Sequence, residues 1–233
     1  MLNLAISGLV GLSFGDTFLF FAFRDIGARI SMLIMALAPP MSAVLAFFFL
    51  GETLTPWGIG GIGLTVAGIA LVVLARESAG MQNPGVRRAR GVLYAFLGAL
   101  GQAVGLIFAK LAFNEGDIHS LSATFIRIAA SLLLLFPLVL LTRGYQNPLR
   151  VFAADKRALL QTAVGSIIGP YLGITFSLLA ITHTNVGVAA AIMATPPIIM
   201  LPMVRMVYKE KLTLRAVAGA VVAVAGVAIL FLR

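Results

Sequence analysis

Apolar residues run along this chain in stretches of about twenty positions, divided by short clusters of charge, Gly, Pro and Asn. The stretches fall at roughly 4–23, 29–50, 56–75, 91–113, 120–141, 158–180, 185–207 and 213–232. Each has about the length that an α-helix needs to cross a hydrocarbon core roughly 30 Å thick. Spanning strands would alternate apolar and polar positions over about ten residues, and runs such as Met41–Leu50 do not alternate. The pattern predicts an all-α polytopic membrane bundle of about eight transmembrane helices. The first stretch, Leu4–Phe23, lacks a basic leading region and carries Asp16 inside it, so it reads as a span and not as a cleaved signal.

Composition agrees with the pattern. The 233 residues are 61% hydrophobic and only 11% charged, whereas soluble domains carry about a quarter charged residues. A net charge of +9 would point to nucleic acid in a soluble protein. Here it has a topological meaning, because Lys and Arg accumulate in cytoplasmic loops. Alternating the eight stretches across a bilayer gathers 14 of the 17 basic residues on one side, all but Lys110, Arg127 and Arg233. That side is expected to be cytoplasmic, with both chain ends outside. The chain has no Cys and only two His, His119 and His183. Thiolate chemistry and Cys/His metal sites are excluded, and no cofactor is expected.

Offsetting the sequence against itself by 158 positions aligns Gly11 with Gly169, Gly15 with Gly173, Thr17-Phe18 with Thr175-Phe176 and Ala22 with Ala180. The register continues through Ile34-Met35-Ala36 on Ile192-Met193-Ala194, Pro39 on Pro197, Glu52 on Glu210, Gly61 on Gly219 and Ala67-Gly68 on Ala225-Gly226. About 18 identities over residues 11–75 mark a duplication. The first three stretches repeat as the last three. Five spans separate each stretch from its copy, an odd number, so the copies are expected to lie in opposite orientation, the inverted-repeat pattern of secondary transporters. The organisation read from this is a first repeat of three helices over 1–76 and a second of five over 91–233. The stretches at 91–113 and 120–141 have no upstream counterparts, so the chain is expected to lack two helices ahead of Met1.

Residues 15–55, GDTFLFFAFRDIGARISMLIMALAPPMSAVLAFFFLGETLT, followed by GIGLTVAGIALV, and the later TNVGVAAAIMATPPIIMLPMVRMVYKEKLT and AGAVVAVAGVAIL, resemble the EamA repeat of the drug/metabolite transporter superfamily. The mid-helix Pro, the short loop with Glu and the Gly-rich last helix recur in order. The resemblance covers the whole chain and implies ten helices where eight are present. It also implies cytoplasmic termini, opposite to the charge bias.

Several residues are candidates for a substrate site. A carboxylate near the middle of a span costs about 2.5–3.5 kcal/mol on insertion scales, so Asp16 is expected to face the bundle interior; its counterpart in the repeat is Ile174. It would couple protons or bind a cation, as in small multidrug transporters, or make an interhelical hydrogen bond beside Gly15. Arg127 can grip a carboxylate or phosphate at two points; the alternatives are snorkelling to the interface or pairing with Glu115 or Asp117. Lys110 is expected to snorkel. Gln102, Tyr171 and Thr175 add polar groups at similar depth. Pro39-Pro40 and Pro196-Pro197 stand at matching places in the two repeats, where a missing N–H frees a carbonyl, and mark a hinge or a packing kink. Gly11/Gly15, Gly101/Gly105 and Gly165/Gly169/Gly173 form small-residue ridges suited to close helix packing.

The function expected is that of a secondary transporter in the cell membrane, exporting a small metabolite, amino acid or drug by alternating access. Its partners are a small-molecule substrate, with proton coupling through Asp16, and the lipid bilayer, with no nucleic acid. No phosphate-binding loop is present to use ATP directly. An intramembrane enzyme would need a nucleophile with a base or paired carboxylates, which Asp16 alone does not supply. A shortened, transport-inactive membrane protein is the other alternative. Substrate identity and oligomeric state are not legible in the sequence.

Overall fold

The structure, a computed structural model, describes residues 1–53, 55–75, 85–141, 155–186, 189, 193 and 214–229. Among these it is all-helical. The helices are α1 (Leu2–Ile26), α2 (Ala28–Met35), α3 (Ala38–Leu50), α4 (Pro56–Ala75), α5 (Gly85–Glu115), α6 (Ser120–Leu141), α7 (Lys156–His183) and α8 (Leu214–Ile229). They follow the apolar stretches; the seventh stretch, with Pro196 and Pro197, lies almost entirely outside the described residues.

The outer faces carry large apolar side chains, including Phe48 at 72% and Leu133 at 78% exposure. In water such a surface would drive aggregation; in lipid it is the solvated face. The interior is built instead from small residues. Helix α5 is the central element and packs on α1, α2, α3 and α7, with Ala95, Ala99, Ala103, Ala109 and Ala112 fully buried along its length. At about 1.5 Å per residue its 31 residues exceed the bilayer core, so its Arg87–Arg90 end stands at or beyond the interface.

Two of the glycine ridges meet. A Cβ on Gly105 would lie 2.8 Å from Gly11 Cα, and one on Gly101 would lie 2.9 Å from Gly15 Cα, so α1 and α5 run antiparallel with their backbones almost touching. The ends of the pair are tied by the Asn3 amide donating to Glu115 (2.6 Å) and by Arg90 gripping Asp25 through two nitrogens (2.8 and 3.3 Å). The third ridge behaves differently. Gly165, Gly169 and Gly173 meet nothing within 4 Å among the described residues.

Helices α4 and α8 pack on each other through the two halves of the sequence repeat. A Cβ on Gly68 would strike the Ala223 backbone and lie 2.7 Å from the Gly219 carbonyl; one on Gly226 would strike the Thr65 backbone and lie 2.8 Å from the Gly61 carbonyl. Thr65 lies 3.3 Å from the Ala223 carbonyl, its own counterpart at offset 158. Each contact therefore has its mirror image. As the position in α4 rises from Gly61 to Gly68, the partner in α8 falls from Gly226 to Gly219, so the helices are antiparallel about a local two-fold axis. Reciprocal contact of this kind is what a self-complementary interface requires.

The repeat is also written into the helix geometry. Helix α1 opens into π-helical turns over Leu9–Gly15 and α7 over Ile167–Tyr171, which begin 158 positions apart. In α7 the cause is Pro170, whose ring has no N–H to donate and crowds the preceding turn. In α1 there is no proline; the wide turns lie where Gly11 and Gly15 press against α5.

Candidate functional site

A cavity of about 330 Å³ lies at the centre of the bundle. Its described wall comes from α1 (Leu12, Asp16), α2 and the residues joining it to α3 (Met32, Met35, Ala36, Ala38, Pro39), α5 (Gln102, Leu106), α6 (Arg127), α7 (Pro170, Ile174, Ser177) and Met193. Three pairs in this wall are 158 positions apart: Leu12 with Pro170, Asp16 with Ile174, and Met35 with Met193. The cavity wall thus draws on positions related by the 158-residue sequence repeat. Both π-helical segments border it, and wide turns of this type occur frequently at functional sites.

Besides Ser177, whose hydroxyl donates to the Gly173 carbonyl (2.7 Å), three polar groups reach it for local reasons. Asp16 is the first residue beyond the wide turns of α1, and the close approach of Gly15 to α5 sets it beside Gln102, whose Nε2 donates to Asp16 Oδ1 over 2.9 Å. Arg127 is held on α6 by the contact between Gly8 of α1 and the Arg127 backbone, and by Ser131, whose hydroxyl donates to the Gly8 carbonyl (2.8 Å). Its Nη2 lies 3.1 Å from where a Cβ on Gly11 would stand, so the guanidinium rests on the bare α1 backbone. Arg127 is 2% exposed, and its Nε has no hydrogen-bond partner among the described residues.

Of the sequence-predicted residues, Asp16, Gln102, Arg127 and Pro39 line the cavity together. Arg127 neither snorkels nor pairs with Glu115, which takes the amide of Asn3. Thr175 and Tyr171 do not line the cavity: Thr175 Oγ1 lies 2.8 Å from the Tyr171 carbonyl and 3.0 Å from Thr124 Oγ1, tying α7 to α6. Pro40 is buried next to the wall. Nor is Pro39-Pro40 in the middle of a helix. The chain breaks at Ala36 and Leu37, whose N–H groups turn back to Leu33 and Ile34, and the prolines fall in the first turn of α3, where no N–H is needed. The ammonium of Lys110 donates to the Ile181 and Thr184 carbonyls and caps the end of α7. Pro196 and Pro197 lie outside the described residues. The sequence reading missed Leu12, Pro170 and the methionines Met32, Met35 and Met193. Pro170 and Met193 carried a signal, since the repeat alignment places them opposite Leu12 and Met35.

An all-helical bundle with an apolar exterior and a chamber holding an acid, an amide and a guanidinium defines a multi-pass membrane protein with an internal binding site. Comparison with known proteins gives that class its family. The model of the EamA-like transporter family matches residues 1–74 and 89–232, and the chain belongs to that family. It is a membrane transporter by family, as the resemblance implies. A solved crystal structure is similar in fold, with a TM-score of 0.70 at 17% identity over 100% of this chain and 77% of the other; likeness at that identity shows the fold alone. No curated protein matches the chain.

Proposed function

We propose that this protein is a secondary carrier that exports a small molecule across the cell membrane by alternating access, with its substrate bound in the central cavity. The observation that carries the reading is the cavity's wall, where Leu12 and Pro170, Asp16 and Ile174, and Met35 and Met193 face the same space. Two halves of opposite orientation can rock about such a site and open it to either side in turn. The break at Ala36–Leu37 ahead of Pro39-Pro40, together with the wide turns in α1 and α7, supplies backbone able to flex without unpairing a whole helix. The halves in this reading are residues 1–76 and 91–233.

Asp16, Gln102 and Arg127 are the substrate-binding groups. Asp16 has no acidic counterpart, because Ile174 stands in its place, so one proton site serves both orientations of the carrier. In this reading the Arg87–Arg90 and Lys156-Arg157 segments face the cytoplasm, supported by the bias of positive residues toward that side. The test is reconstitution into sealed vesicles with a metabolite mixture and an imposed proton gradient. Gradient-dependent loss of one component from the loaded side supports the reading. Equal leakage with and without protein across the whole mixture overturns it.

A further inference from the structure

Arg127 poses a chemical problem that the protein itself leaves unsolved. It is almost wholly buried and its Nε has no hydrogen-bond partner among the described residues. The described ion pairs are those of Arg24 and Arg90 with Asp25, at the end of α1. Asp16 shares the cavity with Arg127, yet it takes its hydrogen bond from Gln102 and forms no ion pair with the guanidinium among the described residues. A buried cation with no anion in contact among the described residues carries a large desolvation penalty, and inside a membrane such a group is retained for what it binds. The guanidinium is not free to swing away, since Gly8 pins its backbone and Gly11 supports its Nη2.

We infer that the molecule this cavity takes is an amphiphilic monocarboxylate, its carboxylate received by Arg127 and its apolar body laid against Leu12, Met32, Met35, Leu106, Ile174 and Met193. The inference rests on the reading of the cavity as a substrate site. A planar fork of N–H donors matches a carboxylate in geometry and charge. One cation with Asp16 close by disfavours a dianion such as a phosphate monoester, which would meet the carboxylate's repulsion without a second positive group among the described residues. The methionines line the remainder with flexible, polarisable surface, which suits an apolar body of loosely defined shape.

Three probes of one shape test this: phenylacetate, phenylacetamide and 2-phenylethylammonium, each titrated onto the intact protein in nanodiscs while thermal unfolding is followed. The expected result is a saturable rise in Tm with phenylacetate and none with the amide or the ammonium at equal concentration. Arg127→Lys should weaken phenylacetate at least about tenfold, since it keeps the charge and loses the fork. Should that variant not fold, Met32→Trp, which fills the cavity from its partly buried wall, should abolish the phenylacetate effect. Stabilisation by the amide or the ammonium equal to that by phenylacetate overturns the inference, as does the absence of any phenylacetate effect. Phenylacetate binding without flux in sealed vesicles would leave the inference standing and remove the carrier reading. Flux of the ammonium alone would do the reverse.

Discussion

Asp16 and Ile174 face one cavity from positions 158 apart in the chain, one ionisable and the other not. A duplicated frame therefore encloses a site that is asymmetric in charge. The frame and the site make separate demands on the sequence, and each can be tested alone.

If Asp16 carries the coupling proton, Asp16→Asn keeps its shape and can still hydrogen-bond Gln102, so the fold should survive. Gradient-driven uptake should fall at least about tenfold while exchange of substrate across the membrane persists. The check is paired uptake and exchange assays in the same vesicles; undiminished coupling would reduce Asp16 to a structural hydrogen bond.

The reciprocal contacts of α4 and α8 predict equal damage from equivalent substitutions. Gly68→Val and Gly226→Val each force a side chain into the facing backbone and should destabilise by about 1–3 kcal/mol, the usual range for overpacking. Gly60 and Gly63 meet nothing within 4 Å among the described residues, and valine there should change stability by no more than about 0.5 kcal/mol. Thermal unfolding in a fixed detergent compares the four. Unequal losses at Gly68 and Gly226 would argue against the local two-fold axis.

Lys110 caps α7 from α5, and its removal leaves the Ile181 and Thr184 carbonyls without that donor. Lys110→Met should cost about 1 kcal/mol, and Lys110→Arg should restore most of it. Protease resistance of α7 gives a local readout, and a Lys110→Met protein as resistant as wild type would make the cap irrelevant to stability.

Because the protein has no cysteine, single thiols report topology without background. Arg87→Cys and Lys156→Cys should resist an impermeant maleimide in intact cells and react after permeabilisation. Gly116→Cys, in the exposed turn between α5 and α6, should react from outside. The opposite pattern would place the termini in the cytoplasm, as the family resemblance implies.

Much of the frame was legible in the chain because lipid imposes it: backbone polar groups must be satisfied within each span, so unbroken apolar stretches become helices. The duplication was legible too, since Gly and Pro identities constrain backbone geometry and not only hydropathy. Asp16, Gln102 and Arg127 could be nominated because polar groups in a span are costly enough to need a reason. Their grouping was not legible, for it depends on which glycine ridge meets which. Gly11 and Gly15 found Gly105 and Gly101, while Gly165, Gly169 and Gly173 found no described partner, although all read alike as small-residue ridges. Thr175 shows the same limit from the other side, a polar residue at the right depth whose hydroxyl is committed to α6 and α7. By itself the sequence determined the helices, their repeat and the costly charges, all of which follow from local chain chemistry and the solvent around it. The tertiary structure alone decided that α1 lies backbone to backbone on α5, which sets Gln102 on Asp16 and leaves Arg127 Nε without a hydrogen-bond partner among the described residues, because close packing depends on the shapes of two surfaces at once.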